Sequence, residues 1–145
     1  MARLTGMSAL VTGAGGGIGR GIALAMAAEG AKVGLVDINQ DLLEEVVGQA
    51  PGLTAICCDV SDRAALKQAI DTFVSNAGGL DILVNNAVAF FYAPLEEFPE
   101  DKVNKMLDVG LKGTYWALQA ATPHLKKSQQ ASVLNLSSIA VSMAI

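Results

Sequence analysis

Apolar positions along this chain alternate between short unbroken runs and longer stretches of helical period. Ser8 to Val11 is a short apolar run that predicts a strand covered on both faces. A glycine-rich segment follows, and then Ile18 to Glu29, an Ala-rich stretch that suits an amphipathic helix. Lys32 to Asp37 predicts a second strand ending in a carboxylate. Asn39 is placed to cap a helix running to about Gln49, with Leu42, Leu43, Val46 and Val47 on its apolar face, and Pro51-Gly52 ends it. Leu53 to Cys58 predicts a third strand. A helix capped at Ser61 then runs from Asp62 to about Asn76 and buries Leu66, Ala69, Ile70 and Phe73. Past Gly78-Gly79, Asp81 to Val84 is a fourth strand running into Asn85-Asn86-Ala87. An aromatic-rich loop, Phe90 to Phe98, leads to a helix that starts at Pro99 and runs to about Lys127, with Val103, Leu107, Leu111 and Leu118 as one stripe. Ala131 to Leu136 is the fifth strand, ending at Ser137-Ser138.

Strand–helix alternation of this kind predicts right-handed crossovers and a parallel sheet covered on both faces, with strand order 3-2-1-4-5. In such sheets ligands bind beyond the carboxyl ends of the strands, here near the switch point between strands one and four. The glycine segment, Asp37, Asp59, Asn85 and Ser138 all fall at those ends.

The glycine segment reads Thr12-Gly13-Ala14-Gly15-Gly16-Gly17-Ile18-Gly19. Glycines at a strand-to-helix turn let backbone N–H groups approach a pyrophosphate, and the helix N-terminus adds partial positive charge. The G-x-G-x-x-G spacing fits in no register; Gly13, Gly17 and Gly19 give Gly-x-x-x-Gly-x-Gly instead. A Walker-type loop needs Lys and then Ser or Thr after its last glycine, whereas Gly19 is followed by Arg20 and Gly21. The plain alternative is a flexible glycine loop without a ligand.

Composition narrows the classes. Of 145 residues, 52% are hydrophobic and 17% charged, which fits one folded domain (residues 1–145) and argues against disorder. Ten basic against fourteen acidic residues leave no basic patch, so nucleic acid is excluded as a partner. Glycines and charges break every apolar run short of a membrane span. No basic segment with an apolar core opens the chain, so a cytoplasmic protein is expected. Cys57 and Cys58 are neighbours on a strand, point to opposite faces and read as core residues; neither a disulfide nor a metal site is expected. His124 reads as a surface residue near a helix C-terminus, and Tyr115 and Trp116 as packing or interface residues. Phe90-Phe91-Tyr92 fits either a substrate pocket or the core. Glu96, Glu97, Glu100 and Asp101 form a solvated acidic face.

Taken together, these residues resemble the short-chain dehydrogenase/reductase family, from Leu4 to Ser138. The resemblance implies a Rossmann-like doubly wound α/β fold and a nicotinamide-dependent oxidoreductase moving hydride between cofactor and an alcohol or ketone. Thr12, Gly13, Gly15, Gly16, Gly17, Ile18 and Gly19 match the family's cofactor turn. Asp37, with Ile38 after it, matches the acidic residue that grips the adenosine ribose. Asp59 and Val60 match the pair at the adenine. Asn85, Asn86 and Ala87 match the segment that stabilises the sheet beside the cofactor, and Ser138 matches the catalytic serine. A carboxylate at position 37 accepts from a ribose 2′-OH and repels a 2′-phosphate. Two unit charges 4 Å apart repel by about 4 kcal/mol at an effective dielectric near 20. After screening, NAD is favoured over NADP by about ten- to a hundredfold.

The family's chemistry also uses a Tyr-x-x-x-Lys motif about a dozen residues past the serine, which the 145 residues do not contain. Tyr92 is followed four residues later by Glu96, and Tyr115 by Gln119. Gly110 stands where the family usually has an asparagine in a proton relay, and Val88 where it usually has a glycine. This chain is therefore expected to be a cofactor-binding portion without turnover of its own. The alternative is a non-catalytic dinucleotide-binding or oligomerisation module. Without further strands the fifth strand is an open edge, and self-association is expected through it, through the tail 139–145 and through the long helix Val103 to Lys127.

Overall fold

The computed structural model describes residues 2–138. Five strands form one parallel sheet in the order β3-β2-β1-β4-β5, with β1 at Ser8–Thr12, β2 at Lys32–Asp37, β3 at Leu53–Cys57, β4 at Ile82–Asn85 and β5 at Ser132–Asn135. The helices are α1 (Gly17–Ala28), α2 (Gln40–Val47), α3 (Arg63–Ala77), α4 (Glu100–Met106) and α5 (Thr114–Leu125). Strand alternation sorts the core into two layers. Leu10, Val36 and Leu83 face α3 and α5, meeting Leu66, Ile70, Phe73, Ala117, Ala121 and Leu125. Ala9, Val11, Val33, Leu35 and Val84 face α1 and α2, meeting Ala23, Leu43 and Val46. Thr12 lies opposite Val36, and Asn85 opposite Asn135, so the carboxyl ends of the strands share one rim.

Four local expectations are corrected. The cap of α3 is Asp62, whose carboxylate accepts from the Ala64 and Ala65 N–H groups at 3.0 Å each. Ser61 lies one residue too early: α3 starts at Arg63, and the Ser61 N–H and hydroxyl donate to Asp59. The long helix is not uniform: between α4 and α5, Leu107–Gly113 winds as a π-helical turn, whose i→i+5 spacing changes the helical phase. Val103, Leu107 and Leu111 lie 41%, 46% and 67% exposed, Val109 is buried within the turn, and past it Ala117, Ala121 and Leu125 face the core. Cys57 is exposed and only Cys58 buried, since β3 is an edge strand whose outward positions meet solvent.

His124, expected on the surface, is half-buried: its Nε2 lies 2.8 Å from Asp71 Oδ1 and ties α5 to α3. The Arg63 guanidinium stacks 4.7 Å over the Trp116 ring between the same helices, so Trp116 is a packing residue, while Tyr115 remains exposed. All four residues of β5 are exposed, as expected of an uncovered edge. The tail 139–145 lies outside the described residues.

Candidate functional site at the carboxyl rim

The turn after β1 is built by close approach. Gly13 has φ +65°, and a Cβ there would stand 2.9 Å from the Ala87 Cα. At Gly19 a Cβ would stand 2.2 Å from the Gly13 carbonyl oxygen, so α1 starts tight against the strand end only because that position lacks a side chain. Thr12 and Asn86 lace the turn to the segment after β4. The Thr12 hydroxyl accepts from the Asn86 and Ala87 N–H groups at 3.0 Å each. The Asn86 amide donates to the Thr12 and Gly13 carbonyls at 2.9 and 3.1 Å. In contrast, the space beside Gly16 and Gly17 is open, with nothing within 4 Å of a built Cβ. No side chain caps α1, no acidic residue occupies its first turn, and Ile18 is exposed beside it.

Asp37 faces this turn. Its Oδ2 accepts from the Gly15 N–H at 3.0 Å and its Oδ1 from the Asn39 N–H at 3.1 Å. The helix that follows is capped by Asn39, which accepts from Leu42 N–H, so the carboxylate serves the rim and not the cap.

A cleft of about 310 Å³ opens beside Asp37, between the ends of β2 and β3 and the segment after β4. Ile38, Asp59, Val60, Ala87 and Val88 line it, together with Phe91 and Lys105. Phe90 and Tyr92 are 74% and 86% exposed, which excludes them from the core. Asp59 is anchored at both oxygens: Oδ1 accepts from the Ser61 hydroxyl at 2.6 Å and N–H at 2.9 Å, and Oδ2 from Lys105 Nζ at 3.0 Å. Partial burial raises the Asp59 pKa, but the Ser61 and Lys105 donors outweigh it and hold the carboxyl below its ordinary value. Burial, with Asp62, Asp59 and Cys57 nearby, pushes the Cys58 thiol up to about 11, which makes it a wall residue and not a nucleophile. Sequence reasoning missed Lys105. Its partner is 46 residues away on another element, and no local spacing marks it.

Beyond the cleft, the Asn85 amide donates to Asn135 Oδ1 at 2.8 Å, and its own Oδ1 is buried without a partner among the described residues. Ser138 sits past the end of β5 at the same rim. Gly110 lies within the π-helical turn with open space beside it, and its carbonyl accepts from the Thr114 hydroxyl at 2.8 Å. Among the described residues no group of His, Cys, Asp and Glu is placed to hold a metal ion. No helix among them is long and apolar enough to cross a membrane.

Comparison with known proteins bears on this rim. The family model for short chain dehydrogenases matches residues 7–145. The chain is 37% identical over 146 residues to hydroxysteroid dehydrogenase-like protein 2 from Bos taurus, covering 93% of this chain and 35% of that protein. It is 35% identical over 147 residues to D-threitol dehydrogenase from Mycolicibacterium smegmatis, covering 99% of this chain and 56% of the relative. The crystal structure of NAD+-bound xylitol dehydrogenase superposes with a TM-score of 0.92 at 30% identity, over 97% of this chain and 56% of that one. The chain thus spans between about a third and just over half of the length of these relatives.

Proposed function

Because the chain belongs to the short-chain dehydrogenase family, we propose that its carboxyl rim binds the adenosine diphosphate half of a nicotinamide dinucleotide, NAD in preference to NADP. One observation carries this reading: the uncapped start of α1, open beside Gly16 and Gly17, lies next to a carboxylate already bonded to the turn at Gly15. The residues present fit the group. Gly16, Gly17 and Ile18 offer backbone N–H groups to a diphosphate, Asp37, held by the Gly15 N–H, accepts from the ribose hydroxyls, and Asp59, Val60 and Ile38 flank the base. Asn86 and Thr12 hold Ala87 at the cleft wall. The supporting experiment is titration with NADH and NADPH by fluorescence. Tighter NADH binding, by about tenfold or more, is expected; equal or tighter NADPH binding overturns the preference, and no binding of either overturns the site.

When bound, the cofactor supplies or accepts a hydride. Ser138, past the end of β5, is proposed to orient a substrate oxygen, and the substrate class is an alcohol or ketone, in keeping with the polyol names of two relatives. Proton transfer at that oxygen needs a positioned acid, worth about 10²–10⁴ in rate. No tyrosine in these 145 residues is followed four later by lysine. The 145-residue polypeptide assayed alone is therefore expected to bind cofactor without turning over ketones with NADH. A second reading, a non-catalytic dinucleotide-binding module, draws on Gly110, which has no amide to offer a relay. Association of copies through the exposed Val103, Leu107, Leu111 face is expected with either reading, and a monodisperse monomer in light scattering counts against it.

A further inference from the structure

The cleft beside Asp37 is acidic at its rim. Asp37 and Asp59 both line it, and Lys105 is the one cation among the described residues that does so. Lys105 reaches from α4 to the end of β3, and the pair is 43% and 39% exposed. An ion pair so open to water adds little to the stability of a fold. What it does fix is the direction of a carboxylate. An ionised carboxylate has about four lone-pair sites. Two of Asp59's, on Oδ1, are taken by the Ser61 N–H and hydroxyl, and one, on Oδ2, by the Lys105 ammonium. One acceptor position remains, on an oxygen held from the opposite wall of the cleft.

We propose that Lys105 is a positioning residue for base recognition: by pinning Asp59 Oδ2 it leaves a single oriented acceptor that selects a purine carrying an exocyclic amine. This rests on the dinucleotide reading given above. Adenine donates from its 6-amino group, whereas the deaminated base, hypoxanthine, presents an oxygen acceptor there and meets the carboxylate lone pair to lone pair. Without the ammonium, Oδ2 turns to water, both of its lone pairs are solvated, and the amine competes with water for a less directed partner. The amino-purine then loses its advantage while the diphosphate and ribose contacts stay as they were. Nothing in this role requires Lys105 to touch the ligand.

Calorimetric titration of the 145-residue protein with ADP-ribose and with inosine diphosphate ribose tests it. The original protein is expected to prefer ADP-ribose by about tenfold. In Lys105→Met that preference falls to about threefold or less, because the ADP-ribose Kd rises while the inosine Kd stays within about twofold. Lys105→Arg, which keeps a cationic donor, restores most of it. Equal weakening of both ligands in Lys105→Met, or an unchanged preference, overturns the positioning role and leaves the dinucleotide reading standing. Absence of ADP-ribose binding to the original protein overturns that reading, and this inference with it.

Discussion

The two ends of the sheet treat their polar groups in opposite ways. At the amino end a hollow of about 530 Å³ is lined by Ser8, Asp81, His124 and Ser128. Its carboxylate is closed off by the protein itself: Asp81 accepts from the Ser8 N–H at 2.8 Å, the Ser8 hydroxyl and the Ser128 hydroxyl at 2.6 Å. At the carboxyl end the helix start is left uncapped, space beside Gly16 and Gly17 is left open, and Asp59 keeps an acceptor position unused. The larger hollow is the one whose donors and acceptors are already matched, and the smaller cleft is the one with unmet bonding capacity. Size alone would have pointed to the other end.

Substitutions sharpen or break that contrast. The largest effect belongs to Gly19→Val, which forces a Cβ to 2.2 Å from the Gly13 carbonyl. A loss of about 3 kcal/mol or more in urea unfolding is expected, with cofactor binding abolished; a stable variant would show the turn to be looser than drawn.

Next comes Asp81→Asn, which removes charge-assisted bonds at the amino end and is expected to cost about 1–3 kcal/mol at pH 7 without changing NADH affinity. Burial raises the Asp81 pKa, but Ser128 and Ser8 outweigh it, so the folded carboxyl lies below its ordinary 3.8. A depressed folded pKa stabilises fully above the unfolded value, and that contribution fades as pH falls below 3.8. The difference between Asp81→Asn and the original protein should therefore shrink in unfolding curves taken at pH 3. A gap that is constant with pH would remove charge from the account.

Smaller in energy is Asp37→Asn, expected to narrow the NADH-over-NADPH preference by about tenfold, or 1.4 kcal/mol. An unmoved ratio would place discrimination elsewhere. The smallest effect on stability is Gly16→Ala. With φ −158° and nothing within 4 Å of the new Cβ, the melting point should stay within the range of about 0.5 kcal/mol, yet NADH affinity should fall as the methyl enters the open space. An Ala variant that binds unchanged would show that the ligand does not approach that amide.

Strand identity, sheet order and the gathering of Thr12, Asp37, Asp59 and Asn86 at one rim were legible in the sequence. They follow from apolar runs of fixed length and from a topology with few alternatives. The pairing of Lys105 with Asp59 was not, because contacts between distant elements leave no periodic trace. The cap of α3 was misread by one residue: Ser61 and Asp62 both have the right chemistry for a cap, and only the fold shows that the helix begins at Arg63, with Asp62 accepting from Ala64 and Ala65. Leu107, Leu111 and Leu118 were read as one stripe because the sequence continues an apolar rhythm through a segment where the backbone does not wind as an α-helix.

That π-helical turn has one more consequence. It holds the helix back by about one residue's rotation, ~100°, before Ala117, Ala121 and Leu125 reach the sheet. Deleting a single residue from Leu107 to Gly113 would restore ordinary winding and leave those alanines facing the sheet, whereas ordinary winding at full length would swing them out and bulkier neighbours in. Loss of one residue here should be tolerated better than in the regular helix on either side, so gene libraries that scan deletions would find a place where the chain can shorten without turning its packed face away.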